Sequence, residues 1–198
     1  MATDIGTIVE NLVSFYDFGG KDVIHVGAGG GQMIAYARYP RRVVAIDNDA
    51  GAVERLRAKI AEQALAEKVA IIDGDFFEYR GRADVVFLEF CLHEMADPAK
   101  AIDHAAALAP RTLVIDHMPE SKWAWYACES EKLAARWSAI ERRAVLRRSA
   151  FEARHYFKNY DELKSKLEGL GGESARRIRA LESQRDIEIA MPYGIVLL

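Results

Sequence analysis

At 198 residues the chain is long enough for one well-buried α/β domain and too short for two ordinary ones. Hydrophobic residues make up 51% and the formal net charge is −3, the profile of a soluble globular protein, while two cysteines, Cys91 and Cys128, exclude a disulfide framework or a thiolate metal site. No apolar run approaches the roughly eighteen residues of a membrane span, and no basic-then-apolar leader is visible, so a cytoplasmic protein is expected.

In chain order, residues 4–16 have helical apolar spacing (Ile5, Ile8, Val9, Leu12, Val13) and end in aromatics before Gly19-Gly20. A strand is predicted over 22–26, a helix from Gly30 to Arg38, and a second strand over Arg42–Ile46. That first helix would turn its N-terminal amides toward a ligand. Asp49 can cap a long helix through about Leu65 with Val53, Leu56 and Ile60 inward. Strands follow at Val69–Ile72 and Asp84–Glu89, then a helix opened by Asp97-Pro98 and running to Leu108, then a strand at Arg111–Ile115. Residues 120–158 lack glycine and proline, carry Trp123, Trp125 and Trp137, and read as a helical insertion. Tyr160–Leu170 reads as a further helix, and 176–184 with 187–197 as two strands around a turn at 184–186. Strands alternating with helices imply a mostly parallel sheet covered on both sides.

Charge is divided unevenly. Residues 1–120 carry 12 basic and 19 acidic side chains, and the remainder 15 and 11. The basic excess gathers at Arg136, Arg142, Arg143, Arg147, Arg148 and Arg154, either a solvated helix face or a surface for an acidic partner.

The chemistry concentrates at Val23-Ile24-His25-Val26-Gly27-Ala28-Gly29-Gly30-Gly31, sixteen residues before Asp47. An apolar strand entering a glycine turn, followed by a strand ending in a carboxylate, builds a nucleotide site: glycine lets the backbone approach a ligand, and the acid accepts from a ribose diol. A G-x-G-x-x-G dinucleotide fingerprint fails at Gln32, and no lysine completes a P-loop. A nicotinamide nucleotide remains an alternative, since Asp47 would serve either ribose.

The G-x-G-G-G spacing resembles that of the class I S-adenosylmethionine-dependent methyltransferases. The resemblance runs from about residue 20 to the C-terminus and rests on the glycine motif, the ribose acid, the Asp73-Gly74-Asp75 turn and the paired terminal strands. It implies a three-layer Rossmann-like α/β sandwich with a seven-stranded, mostly parallel sheet whose last strand is antiparallel. It also implies one methyltransferase domain over 1–198, with an N-terminal helix in 1–20 and a helical lid at about 120–158. The cofactor would be S-adenosylmethionine, released as S-adenosylhomocysteine. Cofactor contacts are expected from Gly27, Ala28, Gly29, Gly31, Asp47, Asn48, Asp75, Phe76 and Glu89, with Asp73 competing for the adenine role of Asp75. One departure stands out. The family usually places an acid where this chain has His25, which keeps open a protein that binds the cofactor or a partner without catalysis.

The stretch Leu92-His93-Glu94 with Asp97-Pro98 resembles the Leu-His-His-x-x-Asp-Pro loop of small-molecule members. His93 is a candidate base or a loop-orienting residue, His117 the alternative base with Asp116 fixing its tautomer, and Glu89 a group near the methyl. No acid-plus-Asn set stands at the strand tips, so no metal is expected. The Asn/Asp-Pro-Pro-Tyr sequence of amino-group nucleic-acid methylases is absent. The expected substrate is a small molecule methylated at O, N or S, aromatic or anionic, with Arg148, Arg154 or His155 available to an anionic group. RNA or protein methylation through the basic 136–154 face is the alternative.

Overall fold

The computed structural model describes residues 2–198. Its strands are β1 (Ala2–Thr3), β2 (Asp22–Val26), β3 (Arg42–Asp47), β4 (Val69–Asp73), β5 (Val85–Glu89), β6 (Thr112–His117), β7 (Arg147–Phe151), β8 (Arg154–Asn159), β9 (Arg185–Ala190) and β10 (Tyr193–Leu197). The α-helices are α1 (Ile5–Phe15), α2 (Ala50–Glu62), α3 (Pro98–Leu108), α4 (Lys122–Tyr126), α5 (Ser130–Glu141), α6 (Tyr160–Leu167) and α7 (Gly172–Ile178). The main sheet has the order β4-β3-β2-β5-β6-β10-β7. β2 to β6 pair in parallel, while β10 runs antiparallel to both β6 and β7. The expected seven-stranded sheet with an antiparallel last strand is present.

The strand period of two divides the core into two layers. Val23, Val43, Ala45, Val85, Phe87, Leu113 and Ile115 bury against Ile8 and Leu12 of α1 and Leu56 and Ile60 of α2. Ile24, Val26, Ile46, Val86, Leu88 and Val114 bury on the other face with Ala101, Ile102 and Ala105 of α3 and Trp137 and Ile140 of α5. Helix starts follow local chemistry: Asp49 accepts from Ala52 N to cap α2, and Asp97 accepts from Lys100 N to cap α3, where Pro98 fills the first turn.

Three expectations change. The predicted 30–38 helix is a short 3₁₀ segment, Ile34–Arg38, with bonds such as Tyr36 N to Met33 O. Gly31 stands in the left-handed region at φ +74°, so the helical turns begin only after it, and no α-helix follows the glycine turn directly. The 120–158 stretch is helical only to Glu141; beyond it, β7 forms the edge of the main sheet and β8 the middle of a second, three-stranded sheet ordered β1-β8-β9. Pairing with distant strands overrides local helical composition there. The expected terminal hairpin is not one. Residues 172–178 are α7 and 179–181 a 3₁₀ turn, and the chain breaks at Met191-Pro192 so that β9 and β10 enter different sheets.

Candidate active site

The glycine turn leaves β2 with Gly27, Gly29 and Gly31 at φ +71°, +49° and +74°, backbone conformations that L side chains rarely adopt. A Cβ on Gly27 would lie 2.4 Å from Cys91 Cβ, so the turn also requires close approach to the loop after β5. At Gly29 a Cβ would find only the Gly27 carbonyl, at 3.9 Å, and Gly29 lines a cavity. That open volume above the turn is what a bound ligand needs. Asp47, at the tip of β3, accepts from Gly29 N at 2.7 Å and from Asp49 N at 3.0 Å. The carboxylate therefore fastens the turn to the neighbouring strand, and its remaining lone pairs are available to a ribose.

Two cavities of about 330 and 340 Å³ meet here, sharing Gly27, Asp47, Cys91 and Glu94 in their walls. The first is lined by Asn48, Asp75, Phe76 and Phe77 as well. The second takes in Ala28, Gly29, Glu89, Phe90, His117, Trp123, His155, Lys166 and Met191, with Ile5 and Ile8 of α1. Of the expected cofactor residues, Gly27, Ala28, Gly29, Asp47, Asn48, Asp75, Phe76 and Glu89 all line one cavity or both. Gly31 does not; it packs instead against α2, where a Cβ would lie 3.0 Å from Leu56 Cδ1. Asp75 accepts from Phe77 N at 2.8 Å and so shapes the turn that presents the Phe76 backbone. Asp73 lies outside both walls.

His25 is fully buried, stacked on Phe87 at 4.8 Å, with Nε2 2.7 Å from Glu89 Oε2. The buried carboxylate that His25 meets thus comes from the neighbouring strand, β5. Burial raises the Glu89 pKa, and the His25 bond opposes that rise.

The two histidines named as candidate bases are in opposite states. His93 Nδ1 is 3.0 Å from Asp116 Oδ1, and its Nε2 is 3.4 Å from Glu129 Oε2. Burial opposes its charge, but hydrogen bonds to Asp116 and Glu129 outweigh that and raise its pKa to about 9. His117 lies with its ring 4.8 Å from Phe90, and its Nδ1 has no partner. Burial lowers its pKa to about 4, only partly offset by Asp116. At neutral pH His93 is a cation with both nitrogens engaged, and His117 is a neutral imidazole in the cavity wall.

Asp116 also faces Arg136, Oδ2 to Nε 3.1 Å, with both side chains fully buried. Arg136 Nη2 and Trp137 Nε1 both donate to the His117 carbonyl, at 2.7 and 2.8 Å. This cluster ties the end of β6 to α5 and to the loop after β5. Phe90 (φ +42°) and Cys128 (φ +63°) are left-handed non-glycine residues flanking Glu89 and Glu129, strain placed where side chains are aimed at the site.

Of the remaining basic residues, Arg142 is exposed and bonds only Ser138 of its own helix, while most of the others are engaged. Arg143 pairs with Asp103, Arg148 with Glu141 and Arg154 with Glu188, and Arg147 donates to Phe15 O. Of the three tryptophans only Trp123 lines a cavity, its ring 4.3 Å from His155; Trp137 is core, and Trp125 lies at the surface under Arg177. Sequence reasoning missed Lys166, Met191 and the wall formed by α1. No local signal marks them, because distant elements bring them together.

Residues 24–110 match the family model of the methyltransferase domain. Aclacinomycin 10-hydroxylase of Streptomyces purpurascens is 35% identical over 101 residues, 49% of this chain and 27% of that protein, so the chain spans about a quarter of that relative's length. A proposed methyltransferase of Bacillus halodurans C-125 superposes with TM-score 0.66 at 17% identity, covering 98% of this chain and 97% of that one. The magnesium protoporphyrin IX methyltransferase of Synechocystis PCC 6803, solved with bound S-adenosylmethionine, gives 0.59 at 16% identity over 98% and 77%. Residues 24–110 therefore resemble a methyltransferase domain, and the chain as a whole shares the Rossmann-like fold of the methyltransferase structures it superposes on.

Proposed function

We propose that the protein binds S-adenosylmethionine across the two cavities and transfers its methyl group to O, N or S of a small molecule held in the second. The meeting of the cavities at Gly27 and Asp47 carries this reading: one side has the ribose acid, Asp75 and Phe76, and the other an apolar chamber with a neutral histidine. When bound, the cofactor supplies a methyl on a sulfonium, a good leaving group for in-line displacement by an acceptor lone pair. Asp47 would hold the ribose, Asp75 and the Phe76 backbone the adenine, and Glu89, set by His25, the methionine end. The protein's further contribution is position and exclusion of water. Phe90, Trp123 and Met191 offer faces to a flat or apolar acceptor, and Lys166 offers a cation to an anionic substituent. His117, neutral and in the wall, accepts the proton that an O–H or N–H acceptor must lose. His93 is assigned to orientation, since its nitrogens are already engaged.

The paired arginines of the 136–154 stretch weigh against the nucleic-acid alternative. Among the described residues no helix is long and apolar enough to cross a membrane, and both cysteines are free, which fits a cytoplasmic setting. A second reading, cofactor binding that serves another reaction, is favoured by the Streptomyces relative, which is named a hydroxylase; a shared fold does not fix chemistry. Incubating the protein with methyl-labelled S-adenosylmethionine and a panel of phenols, aromatic acids, amines and thiols separates the two. Label appearing in a panel member, with turnover lost in His117→Ala, supports methyl transfer. Cofactor binding with no label transferred favours the second reading.

A further inference from the structure

His93, Glu94 and Glu129 bring one imidazole nitrogen and two carboxylate oxygens within 4.8 Å of one another. They come from segments far apart in sequence, the turn after β5 and the residue that opens α5. His93 Nε2 is 3.4 Å from Glu129 Oε2 and 4.0 Å from Glu94 Oε1. Ligand atoms about 2.0–2.2 Å from a tetrahedral ion stand roughly 3.4 Å from one another. The first separation already fits, and the Glu94 side chain, 68% exposed, is free to close the second.

The other imidazole nitrogen supplies an independent observation. Nδ1 is held 3.0 Å from Asp116, and Asp116 is itself fixed by the His117 amide at 2.8 Å and by Arg136. A carboxylate behind the imidazole is the arrangement that orients a metal-ligating histidine and sets its tautomer. Among the described residues no other three His, Cys, Asp or Glu side chains converge in this way. Glu94 also lines both cavities, so through that residue the cluster reaches the wall of the proposed acceptor chamber.

We propose that His93, Glu94 and Glu129 bind a single divalent first-row metal ion, which displaces the proton of His93 Nε2 to solvent and takes the place of its bond to Glu129, with Asp116 as the positioning residue behind His93. Imidazole suits zinc and carboxylates suit manganese, so both ions fit the donor set. This departs from the reading of the sequence, which expects no metal, because the three ligands share no motif spacing. The site does not depend on methyl transfer.

Its test uses the full chain, stripped with a chelator and dialysed, then titrated calorimetrically with Zn²⁺ and with Mn²⁺ in the absence of any nucleotide. One ion per chain is expected for at least one metal. Binding should weaken in Glu129→Gln by more than the roughly tenfold that loss of even an outer-shell partner costs. Glu94→Gln alters an exposed side chain, leaves the fold intact and should weaken binding in the same direction. Uptake of neither ion, or binding equally tight in both variants, overturns the proposal. Because no nucleotide is present, neither result bears on the cofactor reading.

Discussion

Replacing Asp116 by leucine strands a charge. Arg136 is fully buried with Nε 3.1 Å from Asp116 Oδ2, and His93 Nδ1 is 3.0 Å from Oδ1. The two partners respond differently when the carboxylate goes. His93 can release its proton, whereas a guanidinium stays charged at any pH a protein survives. Breaking a buried pair from one side costs about 3–5 kcal/mol. For a chain of this length that is a fall in Tm of roughly 6–20 °C, at about 2–4 °C per kcal/mol. Adding Arg136→Met removes the stranded charge, and the His117 carbonyl keeps its bond from Trp137 Nε1 at 2.8 Å. Apolar replacement of a whole buried pair is often neutral, so the double variant should recover about 2 kcal/mol or more over Asp116→Leu alone. Urea unfolding followed by tryptophan fluorescence and by circular dichroism measures all the corners of the cycle. A cost below about 1 kcal/mol for Asp116→Leu, or a double variant as unstable as the two singles added, would refute the reasoning.

Two further outcomes follow from the buried histidines and the glycine turn. Burial lowers the pKa of both His117 and His155 to about 4, so the folded state resists their protonation. As pH falls from 6.5 the unfolded chain takes up these protons first, and stability drops until about pH 4, by about 3 kcal/mol for each histidine. His155→Gln removes one share; the stability gap between it and the wild type, measured by urea unfolding, should move in the variant's favour by about 2–3 kcal/mol between pH 7 and 4.5. A gap independent of pH would show that His155 is not held neutral. At the turn, Gly27→Ala combines φ +71° with a Cβ 2.4 Å from that of Cys91, and Cys91→Gly in the same chain removes that contact but leaves the Glu89 carbonyl 2.9 Å away and the backbone strain. Stability should therefore return only in part, and full recovery by Cys91→Gly would show that neither the Glu89 contact nor the left-handed conformation costs anything.

What could be read from the sequence is what local chemistry determines. The Val-Val-Phe-Leu run of β5, the Asp49 and Asp97 caps, and the glycine spacing with Asp47 each declare their structure within a few residues, and the structure keeps all of them. The misses are non-local. Arg147–Phe151 is a strand because β10 lies beside it, and Arg154–Asn159 because β1 and β9 do. Arg136 reads as one charge on a solvated helix, yet it is buried because Asp116 waits on β6. His93 reads as a base, and the carboxylate of Glu129, delivered from the start of α5, makes it a cation instead. His25 reads as a missing acid, and the carboxylate it pairs with, Glu89, lies across the β2–β5 pair.

The most direct test of the central reading is calorimetric titration of the protein with S-adenosylhomocysteine, beside Asp47→Asn and Asp47→Ala. Asn retains an acceptor for the Gly29 amide and Ala does not, so the pair separates loss of the turn from loss of the ribose charge. Hydrogen bonds to a charged acceptor contribute about 1.5–3 kcal/mol, so micromolar binding by the wild type should weaken more than about tenfold in Asp47→Ala. Asp47→Asn should fall between the two. No binding by the wild type, or equal affinity in all three proteins, would contradict a cofactor held by the glycine turn and Asp47.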